Sequence, residues 1–247
     1  MPSSKTFIGD TGYDVKNGRT FIGGTGYDIK KGRTLIGGTG YDIKFTVPLA
    51  ELAEGTVITI KENGSPVEFF TAKQDYESDL NGLGRVLFVR KNCLDELLQM
   101  SSWSRMSFEY TSLCSNLNKT YLARFSSAVQ AAISTTTFFS ERASYTATKA
   151  IFVLSATEMG YVKSYTTSGA AVTTIVEGTK LSISELLIPS EREQWTRTVS
   201  SQDPWRVAVS TSGGFSAVNP TFELAVCPCF TLPATMEVDS NLELIEE

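Results

Sequence analysis

Residues 5–15 read KTFIGDTGYDV, residues 19–29 read RTFIGGTGYDI and residues 33–43 read RTLIGGTGYDI. Equivalent positions stand 14 residues apart, as Tyr13 and Tyr27 do. A fixed period of this kind indicates a structural unit that is repeated along the chain. Residues 1–44 are therefore interpreted as a region distinct from the rest of the chain.

Each copy contains two short β-prone runs, such as Thr20–Ile22 and Tyr27–Ile29, separated by a glycine-rich segment. Glycines supply the positive φ angles of tight turns, so each copy predicts a small β-hairpin, and three copies predict a meander of about six short strands. Such narrow strands are marginally stable alone, so this region needs a partner surface. We expect that contact to be made by the apolar positions Phe7, Ile8, Tyr13, Phe21, Ile22, Tyr27, Leu35, Ile36 and Tyr41.

The glycines of the repeats could instead belong to an ion or phosphate site. Gly23–Gly26 lacks the Gly-Lys-Ser/Thr of a P-loop, and no helix is predicted to follow it. A calcium-binding repeat also fits poorly, because residues such as Asp28 recur once per unit beside an aromatic rather than an acidic neighbour. We therefore expect neither a nucleotide nor a metal in this region.

The chain from Phe45 onward has the mixed pattern of an α+β domain. Asn63-Gly64 between two alternating runs is a strong hairpin signal, and Ser126 is placed to cap a short helix. Residues 160–190 are rich in Ser, Thr and Gly and are expected to form loops, and we expect the acidic tail at 237–247 to be mobile. The predicted strands are 56–62, 66–72, 84–90, 150–154, 195–199, 205–209, 215–218 and 222–226, and the predicted helical segments are 49–53, 94–100, 117–125 and 126–133.

Composition excludes several classes of function. The chain has 247 residues, with 22 Lys and Arg against 27 Asp and Glu, a net charge of −5, and no histidine. Without histidine there is no Ser-His-Asp or Cys-His catalysis and no imidazole metal site. A mildly acidic chain without a basic run is a poor nucleic-acid binder. We also expect no signal peptide and no membrane insertion, because no long apolar run is present.

Catalytic motifs are also missing from the sequence. No serine lies in a Gly-x-Ser-x-Gly elbow. The carboxylate pairs Asp95/Glu96 and Glu191/Glu193 are typical of a solvated surface rather than of acid–base catalysis. The sequence therefore predicts no enzyme activity and no cofactor.

The four cysteines, Cys93, Cys114, Cys227 and Cys229, lack the spacing of a zinc site. Cys227 and Cys229 are two positions apart, which in a strand separates their Cα atoms by roughly 6.5–7 Å, at the limit for a disulfide. We expect four reduced, mostly buried thiols, consistent with folding in a cytoplasm.

A ligand-binding surface is predicted in the turns near residues 200–222, since loops on a rigid scaffold commonly carry binding. Trp103, Trp195 and Trp205 could stack on sugars, but a core role is favoured for Trp195. The candidate ligand-binding residues are Trp205, Arg206, Ser212, Phe215 and Asn219.

These motifs resemble those of a family of phage and prophage structural proteins from Gram-positive gut bacteria. The resemblance extends over nearly the whole chain. Besides the repeats, the segments that carry it are Leu49–Gly55, Glu62–Phe69, Gln74–Ser78, Leu80–Arg85, Ile151–Ser155, Glu158–Gly160, Gln194–Arg197 and Val226–Pro233.

The C-terminal signature of that family is similar to the C-type-lectin fold in its formylglycine-enzyme-like form, which phage host-attachment proteins also use. The resemblance implies a scaffold that displays a ligand-binding surface. The chain departs from the family at Cys227, where the family has an arginine that ties the sheet to neighbouring loops, and at Cys229, where it has alanine. The spacing of these two cysteines does not support copper or formylglycine chemistry.

The sequence thus predicts an assembly arm of β-hairpin repeats at 1–44, a C-type-lectin-like body at 45–236 with a twisted antiparallel sheet and two or three helices, and an acidic tail at 237–247. The expected function is that of a virion or tail-like particle protein that binds a host-surface glycan or protein. We expect the arm to contact other virion proteins or to form a homotrimer. A capsid decoration or head-fibre protein without a receptor role, and an enzyme on a lectin-like fold, are the alternatives.

Overall fold

The computed structural model describes most of the chain. Of the strands before residue 44 and of those at 163–165 and 173–175, only the backbone pairing is described. The described residues are 5–8, 11–14, 19–22, 25–28, 32–36, 39–43, 46–102, 107–140, 142–160, 163–165, 173–175, 178–182, 192–199, 206–212 and 214–246.

Strands dominate the described residues, with short helices between them. The strands are β1 Lys5–Ile8, β2 Thr11–Asp14, β3 Arg19–Ile22, β4 Thr25–Asp28, β5 Gly32–Ile36, β6 Thr39–Ile43, β7 Val47–Pro48, β8 Val57–Glu62, β9 Ser65–Lys73, β10 Arg85–Arg90, β11 Leu98–Gln99, β12 Thr136–Ser140, β13 Arg142–Lys149, β14 Phe152–Val153, β15 Lys163–Tyr165, β16 Thr173–Ile175, β17 Gln194–Val199, β18 Arg206–Val209, β19 Phe215–Val218, β20 Glu223–Leu224, β21 Pro228–Pro233 and β22 Glu237–Val238.

The helices of the described residues are short and lie between residues 49 and 132. The α-helices are α1 Ser78–Asn81, α2 Ser112–Asn116 and α3 Ser127–Ala132; a π-helical turn spans Leu117–Tyr121, and 3₁₀ turns span Leu49–Glu51, Phe108–Tyr110 and Leu122–Arg124. This mixture confirms the predicted α+β class.

The N-terminal repeats form three antiparallel hairpins, β1–β2, β3–β4 and β5–β6, as the sequence predicts. Their register is the same, since Lys5, Arg19 and Arg33 each pair with an aspartate of the following strand. The prediction of a single meander is wrong for the described residues, because each hairpin is a separate two-stranded sheet.

The body is organised around one five-stranded antiparallel sheet with the order β14-β21-β10-β9-β8. Its first hairpin turns at Asn63-Gly64, whose φ angles of 50° and 77° confirm the predicted tight turn. The central strand β10 alternates little in burial, since Val86–Val89 are all buried. The middle of the sheet is therefore covered on both faces, whereas the edge strand β8 alternates between buried residues such as Ile58 and exposed ones such as Lys61.

The helical segment 117–125 contacts this sheet through Phe125, whose ring centroid lies 5.2 Å from that of Phe230 in β21 and 6.3 Å from that of Phe69 in β9. Ser126 caps α3 by accepting a hydrogen bond from the backbone N–H of Val129 at 3.2 Å, as predicted. The predicted helix at 117–125 is instead a π-helical turn and a 3₁₀ turn that follow α2. Leu117, Tyr121 and Phe125 are nevertheless buried in the core.

The predicted helix at 94–100 is wrong. This segment contains only the two-residue strand β11, which pairs with β20. The N–H of Leu94 donates to the carbonyl of Val226 at 2.8 Å, so tertiary pairing replaces the hydrogen bonds that a helix would make. Residues 160–190 also differ from the expected loops where they are described, because β15 and β16 form a hairpin.

The C-terminal tail is packed against the body rather than mobile. Strand β22 pairs with β7, and the backbone of Thr59 exchanges hydrogen bonds with Leu242 and Leu244. Leu244 is buried because this segment runs along the outer edge of β8. The tail therefore covers an edge strand of the main sheet.

No helix among the described residues is long and apolar enough to cross a membrane.

Candidate functional site

The most enclosed group of charges in the body is an ion pair between Glu158 and Arg197. Neither side chain is exposed to solvent. The guanidinium binds the carboxylate through two nitrogens, with Nη1 to Oε2 at 2.6 Å and Nη2 to Oε1 at 2.8 Å. A two-point contact of this kind matches the planar geometry of both groups.

Glu158 is held by its own turn and by Tyr76. The N–H of Ser155 donates to Glu158 Oε2 at 2.8 Å, and the N–H of Glu158 donates to Ser155 Oγ at 3.1 Å. This reciprocal pair is the pattern of a capping box, here in a turn between β14 and β15. The hydroxyl of Tyr76 donates to Oε1, so both oxygens of the carboxylate accept two hydrogen bonds.

Arg197 is enclosed by aromatic rings and backbone carbonyls. Its Nε donates to the carbonyl of Phe139 at 2.8 Å and its Nη1 to that of Val153 at 2.9 Å. The centre of the guanidinium lies 4.8 Å from the ring centroid of Phe138 and 5.8 Å from that of Phe152. These contacts compensate for the removal of the guanidinium from water.

The site is built for rigidity. Burial, reinforced by the negative charge of Glu158, raises the pKa of Tyr76 well above its usual value. The phenol therefore stays protonated and serves as a fixed donor. Since both carboxylate oxygens are occupied, the arrangement joins the turn at 155–158, strand β17 and Tyr76 into one unit.

A glycine lets the neighbouring segment 178–182 approach this unit closely. Gly178 has φ +94°, and a Cβ atom there would lie 2.8 Å from Oε1 of Glu158 and 3.0 Å from Oε1 of Glu77. The N–H of Thr179 donates to that oxygen of Glu77 at 3.2 Å, and the N–H of Leu181 donates to the carbonyl of Glu158. Burial, together with the charge of Glu158, raises the pKa of Glu77.

A second glutamate centre lies at the other end of the body. Glu62 Oε1 accepts hydrogen bonds from Nε of Arg90 at 3.0 Å and from the hydroxyl of Tyr121 at 2.6 Å. The ion pair is less enclosed than the first, with side-chain exposures of 14% for Arg90 and 5% for Glu62. It attaches β8 and β10 to the helical segment that follows α2.

The predicted ligand-binding residues lie in different environments. Trp205 lies outside the described residues, and Arg206 is buried, with its Nη1 donating to the carbonyl of Arg197 at 3.3 Å. Arg206 is therefore not a surface residue. Ser212 is exposed, whereas Phe215 and Asn219 are partly buried.

Two of these residues form local turn contacts. Oγ of Ser212 lies 3.0 Å from Oγ of Ser210, and Oδ1 of Asn219 accepts hydrogen bonds from the N–H and hydroxyl of Thr221. Phe222, next in the chain, exposes 58% of its surface. Strand β19 and the turns flanking it thus carry the accessible part of the predicted surface.

The predicted assembly residues lie within β1–β6, where only backbone pairing is described. Their side chains are outside the described part of the structure. The register aligns the three repeats: Phe7, Phe21 and Leu35 each pair with a glycine, and Tyr13, Tyr27 and Tyr41 each pair with a threonine.

The cysteine prediction needs correction. Cys93 and Cys227 form a disulfide, although the sequence predicts four reduced thiols. Spacing between neighbouring cysteines could not reveal this bond, because its partners are 134 positions apart. Cys114 and Cys229 are free and buried as predicted, and burial raises the pKa of the Cys114 thiol to about 11.

Trp195 is a core residue, as favoured from the sequence. Its indole Nε1 donates to the carbonyl of Leu98 at 2.8 Å, and its ring is buried. Trp103 lies outside the described residues. Among the described residues, no group of three or more Cys, Asp or Glu side chains is arranged to hold a metal ion.

Sequence reasoning missed Glu158, Arg197 and Tyr76 as a unit. Two signals for them were present: the Ser-x-x-Glu pattern at 155–158, and an arginine within the strand Gln194–Val199, most of whose side chains are buried. The sequence does not show that these three residues meet in the fold, because they are far apart in the chain.

The described residues form an α+β domain that contains a buried charge centre. The chain belongs to the family described as domain of unknown function DUF6273, whose family model matches residues 83–234. The matched range includes Glu158 and Arg197 and ends before the C-terminal tail, and it leaves out the hairpin repeats. No curated protein and no solved structure matches the chain.

Proposed function

We propose that this chain is a structural protein of a bacteriophage virion or of a phage-derived tail-like particle. The hairpins at residues 1–44 attach it to the particle, and the body displays a surface for binding a host glycan or protein. The body would take the C-type-lectin-like form of the α+β fold that the sequence resemblance implies.

The observation that carries this proposal is the form of the repeats. Three hairpins with the same register stand in front of the family domain, and each pairs only with itself among the described strands. Two-stranded hairpins are marginally stable in water. An array of them is therefore best explained as a surface that is stabilised by contact with a partner.

The partner of the arm is a neighbouring particle protein or further copies of the same chain, with a trimer favoured. Apolar residues recur at fixed positions of the repeat, and burying a side chain such as Phe21 or Tyr27 stabilises a contact by roughly 1.5–3 kcal/mol. Three equivalent units give three equivalent contacts. The avidity of such an array exceeds the affinity of any single hairpin.

The body supports display rather than chemistry. Its most enclosed charged residues, Glu158 and Arg197, are engaged with each other and with backbone groups. A rigid interior of this kind holds the outer segments in place. We assign ligand contact to the segments at 160–190 and 200–222, where Ser212 and Phe222 are exposed.

The test uses a phage or tail-like particle that encodes this chain. Negative-stain imaging with an antibody against the body should label the particle, and deletion of residues 1–44 should abolish labelling while the free body remains folded. Incorporation of the truncated chain at the normal level would refute the attachment role.

Display is tested separately with the purified body on a glycan array and on host cells. Binding by the body supports adhesion. A labelled particle whose body binds neither cells nor glycans would instead identify a decoration or head-fibre protein.

A further inference from the structure

The Cys93–Cys227 disulfide joins a largely exposed segment to the body. It connects the segment 91–101 to the residues just before β21, across 134 positions of sequence. Of residues 91–97, only Cys93 and Leu94 are buried, whereas Met100 and Ser101 at the end of the segment are buried. The first part of the segment, around Cys93, therefore has little apolar burial of its own.

Polar contacts at the surface also hold this segment. They include the two-residue pairing of β11 with β20, hydrogen bonds to the carbonyls of Cys93, Asp95 and Leu98, and the ion pairs of Lys91 with Glu68 and of Glu96 with Arg124. One backbone hydrogen bond joins Leu94 to Val226, and another joins Ser101 to Pro220. The disulfide is thus the only covalent link between the segment and the region at 220–227 within the described residues.

The apolar core of the body is formed without the two bonded cysteines. The core cluster extends from Leu49 to Leu244 and includes the buried free thiols Cys114 and Cys229, but neither Cys93 nor Cys227. We therefore expect a reduced chain to keep these core contacts. Cys93 and Cys227 would then be neighbouring thiols at the edge of a folded body.

The two sulfurs differ in access. Cys93 is buried, and its Sγ lies 3.3 Å from Oε1 of Gln194, whereas Cys227 is partly exposed. A soluble oxidant therefore reaches Cys227 first. Cys229 is two residues further on, but it is fully buried, and burial raises the pKa of its thiol, which disfavours the reactive thiolate.

We propose that Cys93 and Cys227 are an oxidative modification site, which is closed after the body has folded and which orders the segment 91–101 against residues 220–227. The oxidant is a small-molecule disulfide such as oxidised glutathione. The Cys227 thiolate attacks one of its sulfurs and releases one thiolate, and the Cys93 thiolate then attacks the Cys227 sulfur and releases the second. Two protons and two electrons leave the cysteines, and the oxidant departs as two thiols.

This inference is independent of the proposed function. It implies that the chain has two covalent states: a reduced state in a cytoplasm that keeps thiols reduced, and a cross-linked state after transfer to an oxidising medium. Because the loop closed by the bond is long, oxidation should raise the melting temperature by about 5–10 °C.

The test starts from the full chain purified in reductant and then treated with oxidised glutathione. Alkylation in denaturant should count four thiols before treatment and two after it, with a cross-linked peptide joining Cys93 to Cys227. Hydrogen exchange should slow at 94–100 and stay unchanged in β9. The double variant Cys93→Ser/Cys227→Ser should keep the same melting temperature in both media.

Several results would overturn the proposal. These are four remaining thiols after oxidation, a cross-link that involves Cys114 or Cys229, or equal hydrogen exchange at 94–100 in the two states. A reduced wild-type chain that lacks a cooperative melting transition would also overturn it, because closure would then not follow folding. That measurement does not depend on whether the serine variant folds.

Discussion

The N-terminal hairpins and the first hairpin of the body are the same motif in two settings. In β1–β2 and in β8–β9, two residues separate the antiparallel strands. Hairpin β8–β9 continues into a sheet through β10, and the C-terminal tail covers its outer edge at Thr59. The repeats pair only within themselves among the described strands.

This difference indicates where stability comes from. A hairpin becomes independent of partners when further strands and a buried core cover it, and no other strand among those described pairs with the repeats. The body should therefore fold alone, whereas the arm should require contacts with other chains. Substitutions that remove different contacts of the body should lower its stability to different extents and leave the arm unaffected.

Removing the buried arginine should have the largest effect. Arg197→Met leaves the Glu158 carboxylate buried without its cation, so we expect the free energy of unfolding of the body to fall by about 3–5 kcal/mol. Urea denaturation followed by circular dichroism measures this. The arm should be unaffected, because Arg197 lies in strand β17 of the body.

Arg90→Met is the matched control for this prediction. It breaks the more exposed pair with Glu62, and we expect a smaller loss of about 1–2 kcal/mol. If the two variants lose the same unfolding free energy, the deeper burial of the Glu158–Arg197 pair does not increase the cost of removing its arginine. The double variant Glu158→Leu/Arg197→Met should recover part of the loss, since it leaves no unpaired charge.

Replacing Gly178 with alanine should have an intermediate effect on the free energy of unfolding. Gly178→Ala places a Cβ atom beside the Glu158 and Glu77 oxygens in a backbone conformation that already disfavours alanine. Gly55 has almost the same φ angle, +92°, with no atom within 4 Å of its Cβ position. We expect Gly55→Ala to cost about 1 kcal/mol and Gly178→Ala to cost at least about 2 kcal/mol.

Thermal and urea unfolding of the two glycine variants measure this difference. Both positions share the left-handed conformation. The additional loss of unfolding free energy in Gly178→Ala therefore measures the cost of the close contact between segment 178–182 and the carboxylates. Identical losses would mean that the segment can move aside, and would remove it from the rigid unit around Glu158.

Loosening the tail should have the smallest effect. Asp239 accepts hydrogen bonds from the N–H groups of Asn241 and Glu243, and the bond from Glu243 is the main cause of its lowered pKa. Asp239→Ala should cost about 0.5–1 kcal/mol, by analogy with the loss of a helix cap. A loss of unfolding free energy above about 1 kcal/mol would show that the tail supports the core as well as the edge of β8.

The contribution of Asp239 to the stability of the folded chain should decrease at low pH. Because the folded-state pKa is lowered, the carboxylate stabilises the folded chain above its unfolded value of about 3.9, and this contribution disappears as the pH falls below that value. Asp239→Asn keeps an acceptor without the charge. Its stability should approach that of the wild type near pH 2–3, and a constant difference across pH would contradict the assignment.

Much of the fold could be predicted from local sequence. The repeat spacing predicted the three hairpins, Asn63-Gly64 predicted the β8–β9 turn, and Ser126 predicted the cap of α3, because each of these is decided by neighbouring residues. The helix predicted at 94–100 was wrong, because pairing of β11 with a distant strand outweighed the helical pattern.

The candidate site was largely invisible to the same reasoning. Glu158 and Arg197 meet across 39 positions, and Cys93 meets Cys227 across 134. Contacts of this kind depend on which strands are neighbours in the sheets. Local patterns in a single sequence do not determine that order. The local signs of the centre were the Ser-x-x-Glu pattern at 155–158 and the arginine within a buried strand.

The central claim is that residues 1–44 assemble the protein while the body folds by itself. Sedimentation velocity on the full chain and on residues 45–247, with matched circular dichroism of the body, tests it most directly. We predict that the full chain sediments as an oligomer, with a trimer favoured, or as a complex with a particle protein, and that the body sediments as a folded monomer. A full chain that stays monomeric with every particle protein offered, or a body that retains the full-length assembly state, would contradict it.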